Sequence, residues 1–439
     1  MPTIYDYAYL PAMTQLFFKT TTAGYYMTGS SPTYTITTIT DPDYPATTVR
    51  GAVYLDGRFF VMNALGEIYQ SALEDASSWS SLEFIASQLN SDAGVCLAKI
   101  NNYVVAFKKY STEFFYDAAN PTGSILSPVQ NAAFHIGCAH ADSVQDMDGT
   151  LVWMGQSRNG FGRTIYSLQG TNPTPISDGQ IDKILDADSL ASIYSWSAKV
   201  GSHTLYGITL VTTGVTLVYD FTTQLWSFFT YLTSSGVTKT ITAVTTAGVV
   251  TSAAHGYSDG DIVLIASTNA SFNGWHVATD VTTNTLQIQA TGTVFSGSGT
   301  STKHTETYFP VASSTSNGGK QYMQDISSGT LYEFDQEVFV DYVGAIASRM
   351  RTPQIDDGTT GKKNMSGIEL VGDKISTSAL IRYSDDDYAT YSKFKPVLLS
   401  IERPRVRRSG MFRRRAIEVL HVGNALFRMQ AVNVEVGGG

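Results

Sequence analysis

Charged residues are scarce in this chain of 439 residues, and the periodicity of helices is nearly absent. Asp, Glu, Lys and Arg make up 15% of the sequence, against about 25% in an ordinary globular protein. Apolar residues reach 43%, close to the usual share, so a disordered chain is excluded. Thr, Ser, Asn and 38 Gly supply the polar character, and aromatics add 12%. Thr and aromatics favour strands while Gly and Asn favour turns, which indicates an all-β protein.

Cysteine is also rare, and no metal-binding spacing occurs. Cys96 and Cys138 are too few for the disulfide framework of a small secreted scaffold, and we expect both to be buried as small apolar residues. No Cys or His pairs stand at zinc-ligand spacing. The first twenty residues lack a basic region and a long apolar run. We therefore expect no signal peptide, no membrane span and no cofactor.

Strand and turn signals alternate along most of the chain. Residues 51–70 read as hairpins about Asp56-Gly57 and Leu65-Gly66, and the pattern recurs roughly every 40 to 50 residues. Such a diverged repeat of short strands predicts a β-propeller, with a β-sandwich as the alternative. Residues 180–194 predict one helix that connects two blades. Each repeat is expected to end with a strand of the form apolar-aromatic-polar-apolar, at Ile68-Tyr69, Phe115-Tyr116, Ile165-Tyr166, Val218-Tyr219 and Leu331-Tyr332.

Two regions interrupt the repeat. One is rich in Thr and almost free of Lys and Arg, and its strands and Gly or Asn turns predict a small inserted β-barrel. In the last strand of the chain the apolar positions change phase, which predicts a β-bulge near Ala431-Val432. We therefore expect a propeller in residues 1–237 and 304–344, the inserted barrel in 238–303, and a C-terminal β-domain in 345–439.

Positive charge concentrates near the C-terminus. From residue 401 onward eight Arg stand against three Glu, a balance of +5, while the first 400 residues carry −14. Such an acidic body with one basic segment is unlike a sequence-reading DNA binder. The segment itself has three interpretations: a DNA contact, a solvated loop, or a docking surface for an acidic partner. Because Arg pairs with carboxylates through two parallel hydrogen bonds and aromatics anchor interfaces, we favour docking through Arg403, Arg405, Arg407, Arg408, Phe412, Arg413, Arg414 and Arg415.

Several motifs, in a fixed order, resemble those of the tail-nozzle or tail-hub proteins of short-tailed bacteriophages, which stabilise packaged DNA. They are SSWSSLEFIASQLN, FKKYSTEFFY, IGCAHADSVQDMDGTLVWMGQ and TPISDGQIDKIL, followed near the C-terminus by SDDDYATYSKF and RRSGMFRRRA. The resemblance covers residues 51–231 and returns at 384–415. Residues 238–303, which contain AHGYSDGD, are similar to a small β-module of phage structural proteins that is named after a half-domain of ubiquitin-activating enzymes.

This resemblance implies a structural protein of the virion tail that is made in the cytoplasm of a host bacterium. It implies a homohexameric ring, docked below the head-to-tail adaptor ring and in contact with tail fibres or spikes and with a needle or plug. Packaged double-stranded DNA would be retained above the ring and pass through it, without sequence-specific binding, during ejection. An acidic wall repels the DNA backbone, so DNA would slide without adhering. For the Arg segment, a neighbouring subunit or the adaptor is then the favoured partner, and DNA is the second choice.

The alternative is a tail-associated, sialidase-like propeller that binds or cleaves glycans. Residues 384–391, SDDDYATY, resemble the Asp-box turn of such proteins. A glycosidase needs two carboxylates about 5 to 9.5 Å apart, or a Tyr-Glu pair with an Arg cluster, whereas these Arg residues fall in one late segment. No G-x-S-x-G elbow occurs either. We therefore expect no catalytic residues, and we interpret residues 356–358 and 385–387 as solvated turns rather than metal sites.

Overall fold

The chain folds almost entirely into antiparallel β-strands. A computed structural model describes residues 6–10, 15–30, 32–160, 162–342 and 344–438. The prediction about the first twenty residues rests partly on residues 1–5 and 11–14, which lie outside the described residues. Internal contacts divide the chain into a first unit, residues 1–229 and 308–335, and a second unit, residues 230–307 and 336–439.

The described residues of the first unit form six small sheets in chain order. Sheet one holds β1 (Asp6–Leu10), β2 (Gln15–Lys19), β3 (Gly24–Ser30) and β4 (Thr33–Thr38), and sheet two holds β5 (Val53–Leu55), β6 (Arg58–Met62), β7 (Glu67–Ala72) and β8 (Asp75–Ala86). Sheet three holds β9 (Gly94–Ile100), β10 (Tyr103–Lys108), β11 (Thr112–Asp117) and β12 (Leu126–Phe134).

The remaining sheets of this unit follow a helix and an excursion of the chain into the second unit. Sheet four holds β13 (Gly137–Cys138), β14 (Gln145–Asp146), β15 (Leu151–Gln156), β16 (Arg163–Gln169) and β17 (Asn172–Pro175), after which comes helix α1 (Gly179–Ala187). Sheet five holds β18 (Ile193–Val200), β19 (His203–Leu210), β20 (Val215–Asp220) and the start of β21 (Leu225–Val244). The chain then forms β22 (Val249–Thr251), β23 (Ile262–Ser267), β24 (Gly274–Val277), β25 (Thr285–Gln287) and β26 (Phe295–Tyr308) before sheet six, which holds β27 (Val311–Asn317), β28 (Lys320–Asp325) and β29 (Leu331–Phe334).

Five apolar clusters pack each sheet of the first unit against the next one. Burial of each large side chain in them contributes about 1.5 to 3 kcal/mol. Cys96 and Cys138 are buried in one of these clusters, as expected. A series of small antiparallel sheets packed in sequence is the β-propeller architecture, so the predicted all-β propeller fold is confirmed. The clusters include Phe17 with Trp79 (sheets one and two), Phe60 with Phe115 (two and three), Phe107 with Trp153 (three and four), Ile165 with Ile208 (four and five), and Trp196 with Met323 (five and six).

The repeated apolar-aromatic motif occupies the third strand position of sheets two to six, on β7, β11, β16, β20 and β29. We expected this strand to be the last of each repeat, but a further strand follows it in sheets two to five. The outermost strands lack a clear apolar alternation because they have little to pack against. In β4, for example, five of six residues are exposed. Periodicity therefore does not mark such strands.

The predicted helix exists but ends earlier than expected. It covers Gly179–Ala187, and Asp178 caps it by accepting hydrogen bonds from the backbone N–H groups of Gln180 and Ile181, each at 2.9 Å. Beyond the helix, the side chain of Asp188 accepts the backbone N–H of Leu190 at 2.7 Å. This side-chain bond favours a turn over another helical turn. Among the described residues, no helix has the length and apolar content needed to cross a membrane.

The second unit combines β22 to β26 with nine later strands. These are β30 (Val340–Asp341), β31 (Gly344–Arg351), β32 (Lys363–Gly372), β33 (Ser378–Ser384), β34 (Lys395–Leu398), β35 (Arg405–Arg407), β36 (Met411–Phe412), β37 (Ala416–Gly423) and β38 (Met429–Gly438). One sheet has the order β30-β31-β37-β33-β34, and in another β32 pairs with β35, β36 and β38. The register of β32 and β38 shifts between Met429 and Ala431, one residue before the predicted bulge.

Residues 238–303 pack in two ways within the second unit. Their strands enclose an apolar cluster of their own around Phe272. Ile262 and Val277, in turn, pack in a separate cluster with Leu380 and Phe394 of the C-terminal strands. The observed division into two units is coarser than the predicted one. The boundaries at 237/238, 303/304 and 344/345, and the inserted barrel, stay predictions.

Removing residues 240–301, with a short Gly-Ser linker in their place, tests how the two units depend on this segment. The ends are close, since the Ser301 hydroxyl lies 3.5 Å from the carbonyl oxygen of Lys239. We expect the first unit to keep a cooperative thermal transition, because none of its clusters includes this segment. The second unit should lose stability, because Leu380 and Phe394 lose apolar neighbours.

Tryptophan fluorescence separates the two effects. The chain has five Trp, and the deletion removes Trp275, so the remaining four all lie in the first unit. A cooperative fluorescence transition at the temperature found for the intact chain is the expected result. Its disappearance would show that the segment belongs to the propeller core.

Candidate docking surface

The Arg-rich segment lies along one edge of β32. Gly367 faces Arg407 of β35, and Asn364 faces Met411 of β36. Between these strands the loop is held by backbone hydrogen bonds, among them one of 2.9 Å from the N–H of Arg408 to the carbonyl of Ser366. The predicted residues therefore share one edge of the sheet. Their side chains, however, divide into buried, paired and exposed groups.

Arg415 and Phe412 belong to the interior of the second unit. The guanidinium of Arg415 is 1% exposed and donates two hydrogen bonds to Asp385, both of 2.7 Å, and a third of 2.6 Å to the carbonyl of Ser409. It also lies 3.8 Å from the ring centroid of Tyr383 and 4.7 Å from that of Phe412. These contacts fix the loop before β36 against the end of β33. Neither side chain is available to a partner in this conformation.

Three other arginines pair with carboxylates at the surface. Arg403 donates to Glu369 at 3.1 and 2.6 Å, and the hydrogen bond between them raises the pKa of Arg403 and lowers that of Glu369. Arg405 lies 3.4 Å from Glu435, and Arg414 pairs with Asp387. Exposed pairs of this kind add little to stability, because water and salt screen the attraction between the charges. They orient the segment more than they stabilise it.

The exposed remainder, which we name the basic tip, consists of Arg407, Arg408, Met411 and Arg413. Arg413 donates to the carbonyl of Thr360 at 2.8 Å, while the side chains of Arg407 and Arg408 have no hydrogen bond or ion pair with the described part of the chain. Met411 is 59% exposed. Arg408 has a φ of 58°, a left-handed conformation that costs a non-glycine residue roughly 1 to 2 kcal/mol. The basic tip is thus a cationic, partly apolar surface in which the side chains of Arg407 and Arg408 have no partner among the described residues.

The acidic turn before β34 has a structural explanation. Asp386 accepts the backbone N–H of Thr390 at 2.8 Å and its hydroxyl at 2.5 Å, and the hydrogen bond from this hydroxyl lowers the pKa of Asp386. Ser384 also donates to Asp386, at 2.8 Å. The two flanking carboxylates, Asp385 and Asp387, pair with arginines. Within the described ranges, no three His, Cys, Asp or Glu side chains are grouped closely enough to hold a metal ion.

A second buried charge cluster escaped the sequence analysis. The carboxylate of Glu418 on β37 is fully buried and accepts Arg349 at 2.9 Å, Arg351 at 2.5 Å and Arg382 at 2.8 Å. Arg382 lies between the rings of Tyr391 and Phe394, 4.1 and 4.4 Å from their centroids. The available signal was a lone Glu in the apolar run AIEVLHV. Its partners come from other strands, which no local pattern reveals.

The sequence matches a known protein family over residues 12–269, more than half of the chain. That family is described as bacteriophage P22 Gp10, beta-propeller. The chain belongs to this family. It is therefore a structural protein of a phage tail and not an enzyme, as the sequence predicted. The Gp10 match does not test the ubiquitin-activating-type module within residues 238–303, which stays a prediction.

Comparisons with individual proteins add little to the Gp10 assignment. No curated protein matches the chain. Among solved structures, BamB from Moraxella catarrhalis shares 12% identity over 76% of this chain and 83% of its own, with a TM-score of 0.35. Sqt1 from Saccharomyces cerevisiae shares 10% over 96% of both chains, with a TM-score of 0.36. The computationally designed Ika8 protein shares 11% over 76% of this chain and 97% of its own, with a TM-score of 0.32. At scores this low, these similarities carry no functional information.

Two ionisable groups of this Gp10-family chain, the buried His421 and the half-buried Asp341, have pKa values shifted in opposite directions. Burial lowers the pKa of His421 from 6.5 to about 4, while its ring stacks on Phe427 at 4.5 Å and lies 3.0 Å from the hydroxyl of Thr377. Burial raises the pKa of Asp341 from 3.8 to about 6. Both groups belong to the second unit. The stability of this unit should therefore depend on pH between these values.

We expect Arg415→Ala to destabilise the second unit by about 1 to 3 kcal/mol, because the buried carbonyl of Ser409 loses its donor while Asp385, 40% exposed, can be solvated. Arg415→Lys should recover only part of this, since an ammonium cannot make two parallel hydrogen bonds. The matched control is Arg414→Ala, which removes an exposed pair and should change stability by less than about 1 kcal/mol. Scanning calorimetry measures all three. Equal transitions in the two Ala variants would refute the structural role of Arg415.

The pH dependence should differ in sign between two further variants. The pKa of His421 in the folded state lies below its unfolded value. Its contribution to stability is therefore present above a pH of about 6.5 and is lost as the pH falls through about 4. The pKa of Asp341 in the folded state lies above its unfolded value. Its contribution to stability is therefore present below a pH of about 3.8 and is lost as the pH rises through about 6. Each contribution is at most roughly 3 kcal/mol.

Denaturant titrations at several pH values between these limits test both assignments. Relative to the unchanged protein, His421→Gln should gain stability as pH falls, and Asp341→Asn should gain stability as pH rises. Parallel pH curves for the variants and the unchanged protein would contradict the burial of these charges.

Proposed function

We propose that this protein is the tail nozzle of a short-tailed bacteriophage, assembled as a ring around the DNA channel. In this proposal the chain is made in the host cytoplasm and built into the virion tail. There a homohexamer docks below the adaptor ring, contacts fibres or spikes and a needle or plug, retains the packaged genome and conducts it during ejection. Membership of the Gp10 family supports a tail role.

The pairing of Lys and Arg side chains within the first unit supports a surface along which DNA can pass. This unit holds 11 Lys and Arg against 22 Asp and Glu, a net charge of −11. Eight of the 11 already have acceptors in the same unit, namely Lys19, Arg50, Arg58, Lys99, Lys108, Arg163, Lys199 and Lys320. Phosphate binding depends on free Lys and Arg, and few of them are left here.

The observation that carries the proposal is therefore an acidic propeller in which most of the Lys and Arg side chains already have acceptors. Such a surface repels DNA at distances up to the Debye length, about 8 Å at physiological salt. DNA beside it is neither held nor read, which is what a conduit needs. The mechanism we propose is physical containment and release, without a chemical step.

Particle mass and shape test the assembly. Light scattering on the purified protein, alone and with the adaptor, should give a species of six times 47.6 kDa, and negative-stain images should show a ring. Double-stranded DNA should bind it weakly even at low salt. A protein that stays monomeric under all of these conditions would refute the nozzle. Tight DNA binding that weakens steeply with salt would refute the conduit mechanism.

A further inference from the structure

We propose that the basic tip of one copy docks on the acidic first unit of a second copy of this chain. The inference rests on the proposed ring, because it names the contact that joins neighbouring subunits. It starts from a difference within the Arg segment. Arg403, Arg405, Arg414 and Arg415 are paired with carboxylates of their own unit, whereas Arg407 and Arg408 have no side-chain partner in the part of the chain that the structure describes.

The backbone at Arg408 gives an independent indication. Among the described non-glycine residues with a positive φ, Arg408 is the only Lys or Arg. The loop holds this conformation through the backbone N–H of Arg408, which donates to the carbonyl of Ser366 at 2.9 Å, and glycine would adopt it without strain. The fold explains the backbone but not the presence of a charged side chain where glycine would be less strained, and this points to a role of that side chain outside the fold.

The loop also presents its charges in a fixed arrangement. Arg415 donates to the carbonyl of Ser409 at 2.6 Å, and the N–H of Met365 donates to the carbonyl of Gly410 at 3.0 Å. Arg413 is held by its bond to Thr360. A surface that is ordered before binding loses less conformational entropy when a partner arrives.

Charge balance identifies the first unit of another copy as the partner. The second unit holds 18 Lys and Arg against 16 Asp and Glu, a net charge of +2, whereas the first unit carries −11. Asp356 and Asp357 lie on the turn next to Thr360, and neither forms an ion pair with a described arginine of the tip. A positive surface and a strongly negative one on the same chain favour contacts between copies, and favour closure into a ring when the contact is heterologous.

The composition of the tip favours protein over nucleic acid. Met411 stands between the arginines and is 59% exposed. Met and Arg are both enriched in protein interfaces, where an apolar centre is surrounded by polar groups. An exposed thioether contributes no favourable contact with a phosphate backbone.

Arg408→Gly is the decisive variant, because it removes the charge and also the backbone strain. We expect its thermal transition to be unchanged or raised, while the concentration needed for half-assembly rises about tenfold or more. Arg428→Ala is the matched control. Arg428 is also exposed, on the same unit, and pairs with Asp373. Its loss should leave assembly unchanged. Arg408→Lys keeps the charge and should assemble better than Arg408→Gly.

Sedimentation velocity at low and high ionic strength measures assembly, and a gel-shift assay with a double-stranded oligonucleotide measures DNA binding. If the unchanged protein forms a ring and Arg408→Gly forms it equally well, docking by the tip is overturned and the ring stands. If Arg428→Ala weakens assembly equally, docking by the tip is overturned as well, because a general loss of positive charge would then explain the effect. Loss of DNA binding with normal assembly would assign the tip to nucleic acid. An unchanged protein that never assembles would overturn the nozzle itself.

Discussion

Buried guanidinium-carboxylate contacts hold the second unit in the form on which its surface depends. Taking both charges out of water costs several kcal/mol per ion, and their attraction compensates for this only with good geometry and further hydrogen bonds. Arg415 meets this condition with only its own charge buried, since Asp385 stays 40% exposed, and the carbonyl of Ser409 and two aromatic rings complete its contacts. Glu418 meets it through three arginines. These contacts join strands and loops far apart in the sequence, and they give the loop before β36 its conformation.

The same rule explains where charge is used in the first unit. Lys108 is almost fully buried and donates to the carbonyl of Ser87 at 3.0 Å, next to the carboxylate of Asp92. Glu113, also buried, accepts the N–H of Leu89 at 2.8 Å. Together they fix the connection between sheets two and three. In a chain with so few charges, most Lys and Arg side chains of the first unit bind acceptors within that unit, while many carboxylates stay exposed. The net acidity of the propeller comes from its composition, 11 Lys and Arg against 22 Asp and Glu.

The sequence predicted the propeller because local chemistry dictates its hairpins. Asp56 and Gly57 have φ values of 47° and 82°, which Asp and Gly tolerate better than most residues. The apolar-aromatic motif marked the third strand of five sheets, and in four of them its apolar residue is buried in a cluster, at Ile68, Phe115, Ile165 and Val218. The motif did not mark the fourth strand, because its exposed residues show no apolar alternation. The helix was predicted too long because Leu190 continues the apolar pattern, while the bond from its N–H to Asp188 ends the helix.

The sequence by itself determined the alternation of strands and turns, the family resemblance and the concentration of arginine near the C-terminus. Only the tertiary structure decided which of those arginines are free. Asp385 precedes Arg415 by 30 residues, and the partners of Glu418 lie on β31 and β33, so pairing depended on strand register rather than on spacing. A dense run of Arg therefore became one buried residue, several surface pairs and an exposed tip. The physical reason is that local propensities act over a few residues, whereas burial of a charge is settled by groups that meet only in the folded chain.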